Sequence, residues 1–158
     1  QITKTFGTMT VLENVMVGSF FQCGSVKKAQ AAAMEVLEFT NLSDKADLLG
    51  SELTVADRKR VEIARALATK PKMLMLDEAM AGLNPTEVQQ AVKMVRSIRD
   101  MGITIMIVEH IMEVVLPLSD VILVMDQGQL IMQGTRDEVV ADERVISAYL
   151  GVNKSAQG

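Results

Sequence analysis

The stretch Met73-Leu-Met-Leu-Asp77-Glu78 decides the fold class, because a short apolar run ends in two adjacent carboxylates. Four consecutive apolar residues predict a buried strand. A second apolar run, rich in β-branched residues, covers residues 103–108 and is followed by Glu109 and His110. A helical pattern separates the two runs, which predicts parallel strands covered on both faces. We therefore expect an α/β fold with the carboxylates at the ligand-binding edge of its sheet.

The residues at this edge are of the types needed for phosphate chemistry. Asp77 can hold Mg²⁺ through water, and Glu78 can orient and deprotonate an attacking water molecule. A neutral His110 can donate a hydrogen bond to a terminal phosphate oxygen, provided that the two strands are neighbours. A plainer interpretation stays open, in which the two carboxylates face solvent and His110 is a surface residue.

The predicted elements divide the chain into two parts, residues 1–70 and 71–158. Residues 8 to about 70 predict helices only, with a capping box at Thr10 and an amphipathic helix from about 26 to 39. From Met73 onward strands alternate with helices, and Asn84-Pro85 is a strong helix start. Near the C-terminus, two apolar runs flank Asp126-Gln127-Gly128 and predict a hairpin.

Composition limits the function classes. The 158 residues carry 16 Lys and Arg against 20 Asp and Glu, and the isoelectric point is near 5.0, so we expect no nucleic-acid partner. The single cysteine, Cys23, excludes an intramolecular disulfide and a cysteine-only zinc site. The longest apolar runs fall far short of the ~20 residues that span a bilayer.

The helix that begins at Thr54 has two possible interpretations. Its N-terminus presents free N–H groups and a positive dipole, which can bind phosphate. Alternatively, Asp57 occupies those donors, and the basic residues 58–60 form a solvated face.

Taken in order, four motifs resemble the second half of the ATP-binding subunit of an ABC transporter. They are Arg58-Lys-Arg-Val-Glu-Ile-Ala-Arg-Ala-Leu67 after Thr54, Pro71-Lys-Met-Leu-Met-Leu-Asp-Glu78, Ala81-Gly-Leu-Asn-Pro85 and Ile107-Val-Glu-His110. Within that superfamily, Thr10-Val-Leu-Glu-Asn-Val15 and the C-terminal residues 133–151 resemble ATPases of branched-chain amino acid importers.

This resemblance implies ATP and Mg²⁺ as cofactors and a set of catalytic residues. Asp77 would end the Walker B strand, and Gln1 would stand at the Q-loop glutamine, both holding Mg²⁺ through water. Glu78 would be the general base, and His110 would be the switch histidine that contacts the γ-phosphate.

The resemblance also implies protein partners. Thr54 and Ala56 would belong to the signature segment, and Asn84 to the D-loop, which approach the nucleotide bound by a second ATP-binding subunit. Residues 8–40 would form the helical subdomain that docks on a membrane permease, so the protein would lie in the cytoplasm against the inner face of the membrane. The segment Thr54-Val-Ala-Asp57 stands where the family commonly has Ser-Gly-Gly-Gln, which replaces both glycines and adds a negative charge.

No G-x-x-x-x-G-K-[ST] sequence occurs in the 158 residues. We therefore expect an incomplete P-loop NTPase-like fold that lacks the N-terminal Walker A part and, as an isolated chain, hydrolyses no ATP. Uncovered strand edges also predict a homo-oligomer. Two other function classes remain open: a non-catalytic module that binds a membrane partner, and an ABC-type ATPase of DNA maintenance.

Overall fold

The computed structural model describes residues 5–150 and forms two compact units. The first unit ends at Glu109, and the second begins at His110. The boundary near residue 70 that the sequence suggests separates groups of motifs, and as a domain boundary it stays a prediction.

The first unit begins with three helices, followed by a β-α-β segment. Two short 3-10 turns, Ser43–Lys45 and Gly50–Glu52, connect the second and third helices. The main elements of this unit are α1 (Val11–Ser19), α2 (Val26–Phe39), α3 (Val55–Leu67), β1 (Met73–Asp77), α4 (Pro85–Asp100) and β2 (Thr104–Val108).

Helices α1, α2 and α3 share a hydrophobic core, as their amphipathic spacing predicts. Val11 and Val15 of α1 pack with Leu37 of α2 and Val61 of α3, and all four are fully buried. Asn14 is also buried, and its side-chain amide is bonded to the backbone of Phe6, Met9 and Thr10. Every donor and acceptor of this amide therefore has a partner.

Strands β1 and β2 pair in parallel, which confirms that they are neighbours in the sheet. Asp77 lies opposite Val108 at the carboxyl end of the pair. The burial differs from the prediction that both faces are covered: Leu74 and Leu76 are buried, whereas Met73 and Met75 on the other face of β1 are exposed, as is Val108 at the end of β2. Successive side chains of a strand point to opposite faces, and the described part of the first unit buries only one face of β1.

The second unit contains a short helix, a hairpin and two terminal helices. These elements are α5 (Met112–Leu118), β3 (Ile122–Asp126), β4 (Gln129–Gly134), α6 (Arg136–Ala141) and α7 (Glu143–Leu150). The hairpin forms as predicted because Gln127 and Gly128 both adopt positive φ, the conformation that a two-residue turn requires. Ile122, Val124, Val139 and Val145 form the core of this unit.

Over residues 5–150, no helix combines the length and the apolar character needed to cross a membrane.

Candidate functional site

The candidate site lies at the carboxyl end of β1. Asp77 is the last residue of the strand and is exposed, and Glu78 follows it and is partly buried. Glu78 has a φ of 45°, in the left-handed region that non-glycine residues rarely adopt. Such a conformation costs roughly 1–2 kcal/mol, so the surrounding contacts must stabilise it.

Several hydrogen bonds fix the backbone around Glu78. Its N–H donates to the carbonyl of Val108 on β2 at 2.9 Å. Its carbonyl accepts both from the Nζ of Lys59 on α3 at 3.2 Å and from the N–H of Ala81 at 3.1 Å. Two residues later, the N–H of Met80 donates to Oε1 of Glu109 at 2.9 Å. The chain therefore turns away from the sheet in a defined way directly after the carboxylate pair.

A half-open groove of about 190 Å³ lies beside this turn. Lys59, Glu62, Asp77 and Glu78 supply its charged groups, while Ile63 and Leu74 are among its apolar walls. Pockets for whole small molecules usually enclose about 300–1,000 Å³. The described residues of this groove can therefore enclose part of a nucleotide rather than all of it.

The donor set suits magnesium only together with a phosphate ligand. Asp77 offers one exposed carboxylate, and residues 5–150 contain no cluster of three or more Asp, Glu, His or Cys side chains able to hold a metal. Mg²⁺ commonly binds through one or two carboxylates, with water and phosphate oxygens completing its octahedron. Asp77 fits that role, since it stands at the ligand-binding edge of the strand pair.

Residues 54–57, which resemble a signature segment, form the start of α3. Thr54 is exposed and caps the helix, since its Oγ1 accepts from the N–H of Asp57 at 3.2 Å. Ala56 is buried, with 8 % of its surface exposed, so its methyl group does not face solvent. The Asp57 carboxylate is buried too, and it is bonded to Lys45 Nζ at 2.7 Å and lies 3.6 Å from Arg60.

The charge of Asp57 is therefore balanced within the chain. Burial by itself raises the pKa of this carboxyl, but the hydrogen bonds from Lys45 and Thr54 and the charges of Lys45 and Arg60 outweigh it and lower the pKa below its ordinary value. The expected cap is confirmed. The negative charge that the sequence adds to this segment is paired with two cations instead of facing an incoming phosphate alone.

The segment that resembles a D-loop forms a tight turn before α4. Gly82 has a φ of 76°, and the N–H of Leu83 donates to the carbonyl of Met80. Asn84 then caps α4 by accepting from the N–H of Glu87 at 3.0 Å, and the Glu87 side chain accepts from the N–H of Asn84 in return. Asn84 is exposed, and the helix start predicted from Asn84-Pro85 is confirmed.

Two of the predicted site residues are not brought to Glu78 by these contacts. His110 is exposed and is the first residue of the second unit, so its role at the site stays a prediction. Gln1 lies outside the described residues.

The sequence reasoning did not single out Lys59 and Glu109. The sequence places Lys59 in a basic run, yet in the structure it lies on one helical stripe with Ile63 and Ala66, and all three line the groove. A spacing of three and four residues from those apolar positions could have identified it. Glu109 directly follows strand β2, at the same edge of the sheet as Asp77. An acidic residue directly after a strand is also the signal that identifies Glu78.

Comparison with known proteins establishes the family. The family model described as "ABC transporter" matches residues 1–81, which is more than half of the chain. The chain belongs to the ABC transporter family. A second model, described as "Branched-chain amino acid ATP-binding cassette transporter", matches residues 129–154.

Curated members of the ABC transporter family are similar over most of this chain. The methionine import ATP-binding protein MetN of Haemophilus influenzae is 40 % identical over 145 residues, covering 91 % of this chain and 42 % of MetN. The high-affinity branched-chain amino acid transport ATP-binding protein LivG of Escherichia coli K12 is 35 % identical, covering 96 % of this chain and 66 % of LivG. The chain thus spans between about two fifths and two thirds of the length of these relatives.

A solved structure of the same family supports the fold. The ADP conformation of MJ1267, an ATP-binding cassette of an ABC transporter, is 33 % identical, with a TM-score of 0.79. The similarity covers 92 % of this chain and 64 % of MJ1267. The expected ABC ATPase fold class is confirmed.

Proposed function

We propose that this chain is part of the ATP-binding and ATP-hydrolysing subunit of an ABC importer for branched-chain amino acids. The observation that carries the proposal is the carboxylate pair Asp77-Glu78 at the end of β1. Glu78 lines the groove, and its backbone is in the left-handed region. The match of residues 129–154 to the branched-chain transporter model supports the choice of importer.

Each site residue has a role in this proposal. Asp77, together with Gln1, would hold Mg²⁺ through water, and the metal would supply positive charge that neutralises the phosphates. Glu78 orients a water molecule and accepts its proton at the side-chain carboxylate. His110 donates a hydrogen bond to a terminal phosphate oxygen.

The same proposal includes two protein partners. Thr54 in the signature segment and Asn84 in the D-loop would face the nucleotide held by a second ATP-binding subunit, a homo-oligomeric arrangement with which their exposure is compatible. Ala56, whose side chain is buried, would face that nucleotide only through its backbone. Helices within residues 8–40 would dock on a membrane permease, and the protein would work in the cytoplasm at the inner face of the membrane.

The two other function classes make different predictions. The match of residues 129–154 to a branched-chain transporter model is not expected of a DNA-maintenance ATPase. A non-catalytic module would bind its membrane partner without any need for Glu78.

The decisive experiment uses the protein encoded by the complete gene that carries this sequence. Glu78→Gln removes the proton acceptor but keeps the shape, so we expect Mg²⁺-dependent ATP hydrolysis to fall about 100-fold or more. ATP binding should change by no more than about twofold, since the lost interaction belongs to the transition state.

The matched control is Glu113→Gln, which makes the same change at an exposed position of α5. It should leave hydrolysis unchanged. Hydrolysis that survives in the Glu78→Gln variant, or that does not need Mg²⁺, would refute the proposed role. Permease binding without any hydrolysis would support the non-catalytic module instead.

A further inference from the structure

The backbone of Glu78, at the end of β1, must be held in place by other parts of the chain. Its φ of 45° is unfavourable for a residue with a Cβ, and the next residues turn sharply toward α4. A side chain on such a backbone keeps one direction only if neighbouring groups hold the peptide units on both sides.

Lys59 holds the peptide unit that follows Glu78. Its Nζ donates at 3.2 Å to the Glu78 carbonyl, which also accepts from the N–H of Ala81 within the turn, and Lys59 is the donor that reaches this carbonyl from α3. The Lys59 side chain is partly buried along the groove. A cation gives a hydrogen bond stronger than a neutral donor does. Because Lys59 belongs to the helix opened by Thr54, this contact also joins the signature helix directly to the backbone of Glu78.

Glu109 holds the turn at Met80, two residues after Glu78. Its Oε1 accepts the N–H of Met80, whose side chain is almost fully buried, with 1 % exposed. Its Oε2 is buried and has no hydrogen-bond partner among the described residues. One oxygen of Glu109 thus fixes the 78–80 turn, and this requires only an acceptor there, not a charge.

We propose that Lys59 and Glu109 are positioning residues for Glu78: Lys59 anchors its carbonyl, and Glu109 anchors the turn that follows. The proposal rests on the proposed function of Glu78 as the general base. Neither side chain needs to touch the nucleotide, since both act through the backbone of residues 78–80.

The kinetic test uses the protein from the complete gene. Lys59→Met keeps the length of the side chain but loses the donor, and Glu109→Leu loses the acceptor. Each should lower kcat for ATP hydrolysis about 10-fold or more, with KM for ATP changed by no more than about twofold, because a misplaced base affects the chemical step most. Lys59→Arg and Glu109→Gln restore a donor and an acceptor, and should recover most of kcat.

Lys93→Met is the matched control, since Lys93 is exposed in the middle of α4. It should leave kcat unchanged. If Lys59→Met and Glu109→Leu hydrolyse ATP at the normal rate while Glu78→Gln does not, the positioning roles are refuted and the role of Glu78 stands.

A second measurement tests the positioning contacts when no hydrolysis is found. Hydrogen exchange of individual amides, followed by NMR in the 158-residue chain, reports whether the N–H of Met80 is bonded. Glu109→Leu should abolish protection at Met80 and leave it intact in α1, whereas Glu109→Gln should preserve it. In Lys59→Met, protection of the Glu78 and Met80 amides should fall relative to Lys59→Arg; unchanged protection in both variants would overturn the proposal.

Discussion

Asp57 adds a negative charge to the segment that resembles the signature of the family, and its neighbours balance that charge. With only 7 % of its side chain exposed, an unpaired carboxylate here would be costly. Lys45, Thr54 and Arg60 supply the partners, and two of these residues lie at the start of α3 itself. The segment is therefore stabilised as a unit that includes the turn at residues 43–45.

Asp57 should make the stability of the chain depend on pH in a specific direction. Its pKa is lowered in the folded state, so its contribution is fully present above the ordinary value of 3.8 and is lost as the pH falls through the lowered pKa. Asp57→Asn should reduce the free energy of unfolding by about 1–2 kcal/mol at pH 7, and by less at pH 3. Urea unfolding at both pH values measures this difference.

The control for this experiment is Asp47→Asn, at an exposed position in the same loop region. Its effect should be small at either pH. A difference between the wild type and Asp57→Asn that stays constant from pH 7 to pH 3 would contradict the assigned role of the carboxylate.

At the scale of elements, helices α1 and α3 approach closely at Gly18. A Cβ added at Gly18 would lie 2.1 Å from the carbonyl oxygen of Arg65 and 3.1 Å from the Cβ of Ala68. The first of these is a backbone atom of α3, so the clash cannot be relieved by turning a side chain. Gly18 therefore permits the helix spacing on which the first core depends.

Gly18→Ala should separate these helices and destabilise the chain. We expect a loss of about 2–3 kcal/mol in the free energy of unfolding, because overpacking against backbone outweighs the better helix propensity of alanine. Urea unfolding followed by circular dichroism measures it.

Gly24→Ala is the matched control, because a Cβ at Gly24 meets nothing within 4 Å. That substitution should change the free energy of unfolding by less than about 0.5 kcal/mol. Equal stability of the two alanine variants would show that α1 and α3 do not pack this closely.

At the scale of the whole molecule, each of the two units has its own hydrophobic core. Val11, Val15 and Leu37 belong to the core of the first unit, and Ile122 and Val139 to that of the second. Asp77 and Glu78 lie in the first unit, while His110 begins the second.

The 158-residue chain by itself should not hydrolyse ATP. Its sequence contains no G-x-x-x-x-G-K-[ST] loop, which supplies most of the N–H groups that hold the phosphates. Phosphate release by the 158-residue chain in the presence of Mg²⁺ and ATP should equal the background. If the 158-residue chain releases phosphate and Glu78→Gln abolishes that release, the expectation is wrong.

Local sequence patterns by themselves determined the elements and the position of the carboxylate pair. Thr10, Thr54 and Asn84 cap their helices as predicted, and Gln127-Gly128 makes the predicted turn, because these signals depend only on residues a few positions apart. The order of motifs was likewise sufficient to indicate the family.

Only the tertiary structure decided how Glu78 and Asp57 are held. Lys59 meets Glu78 across 19 residues, Glu109 meets Met80 across 29, and Lys45 meets Asp57 across 12. No local pattern encodes such pairings, because they depend on how α3, β1 and β2 pack. Packing also decided that Met73 and Met75 are exposed, since an apolar run indicates a strand but not which of its faces is covered.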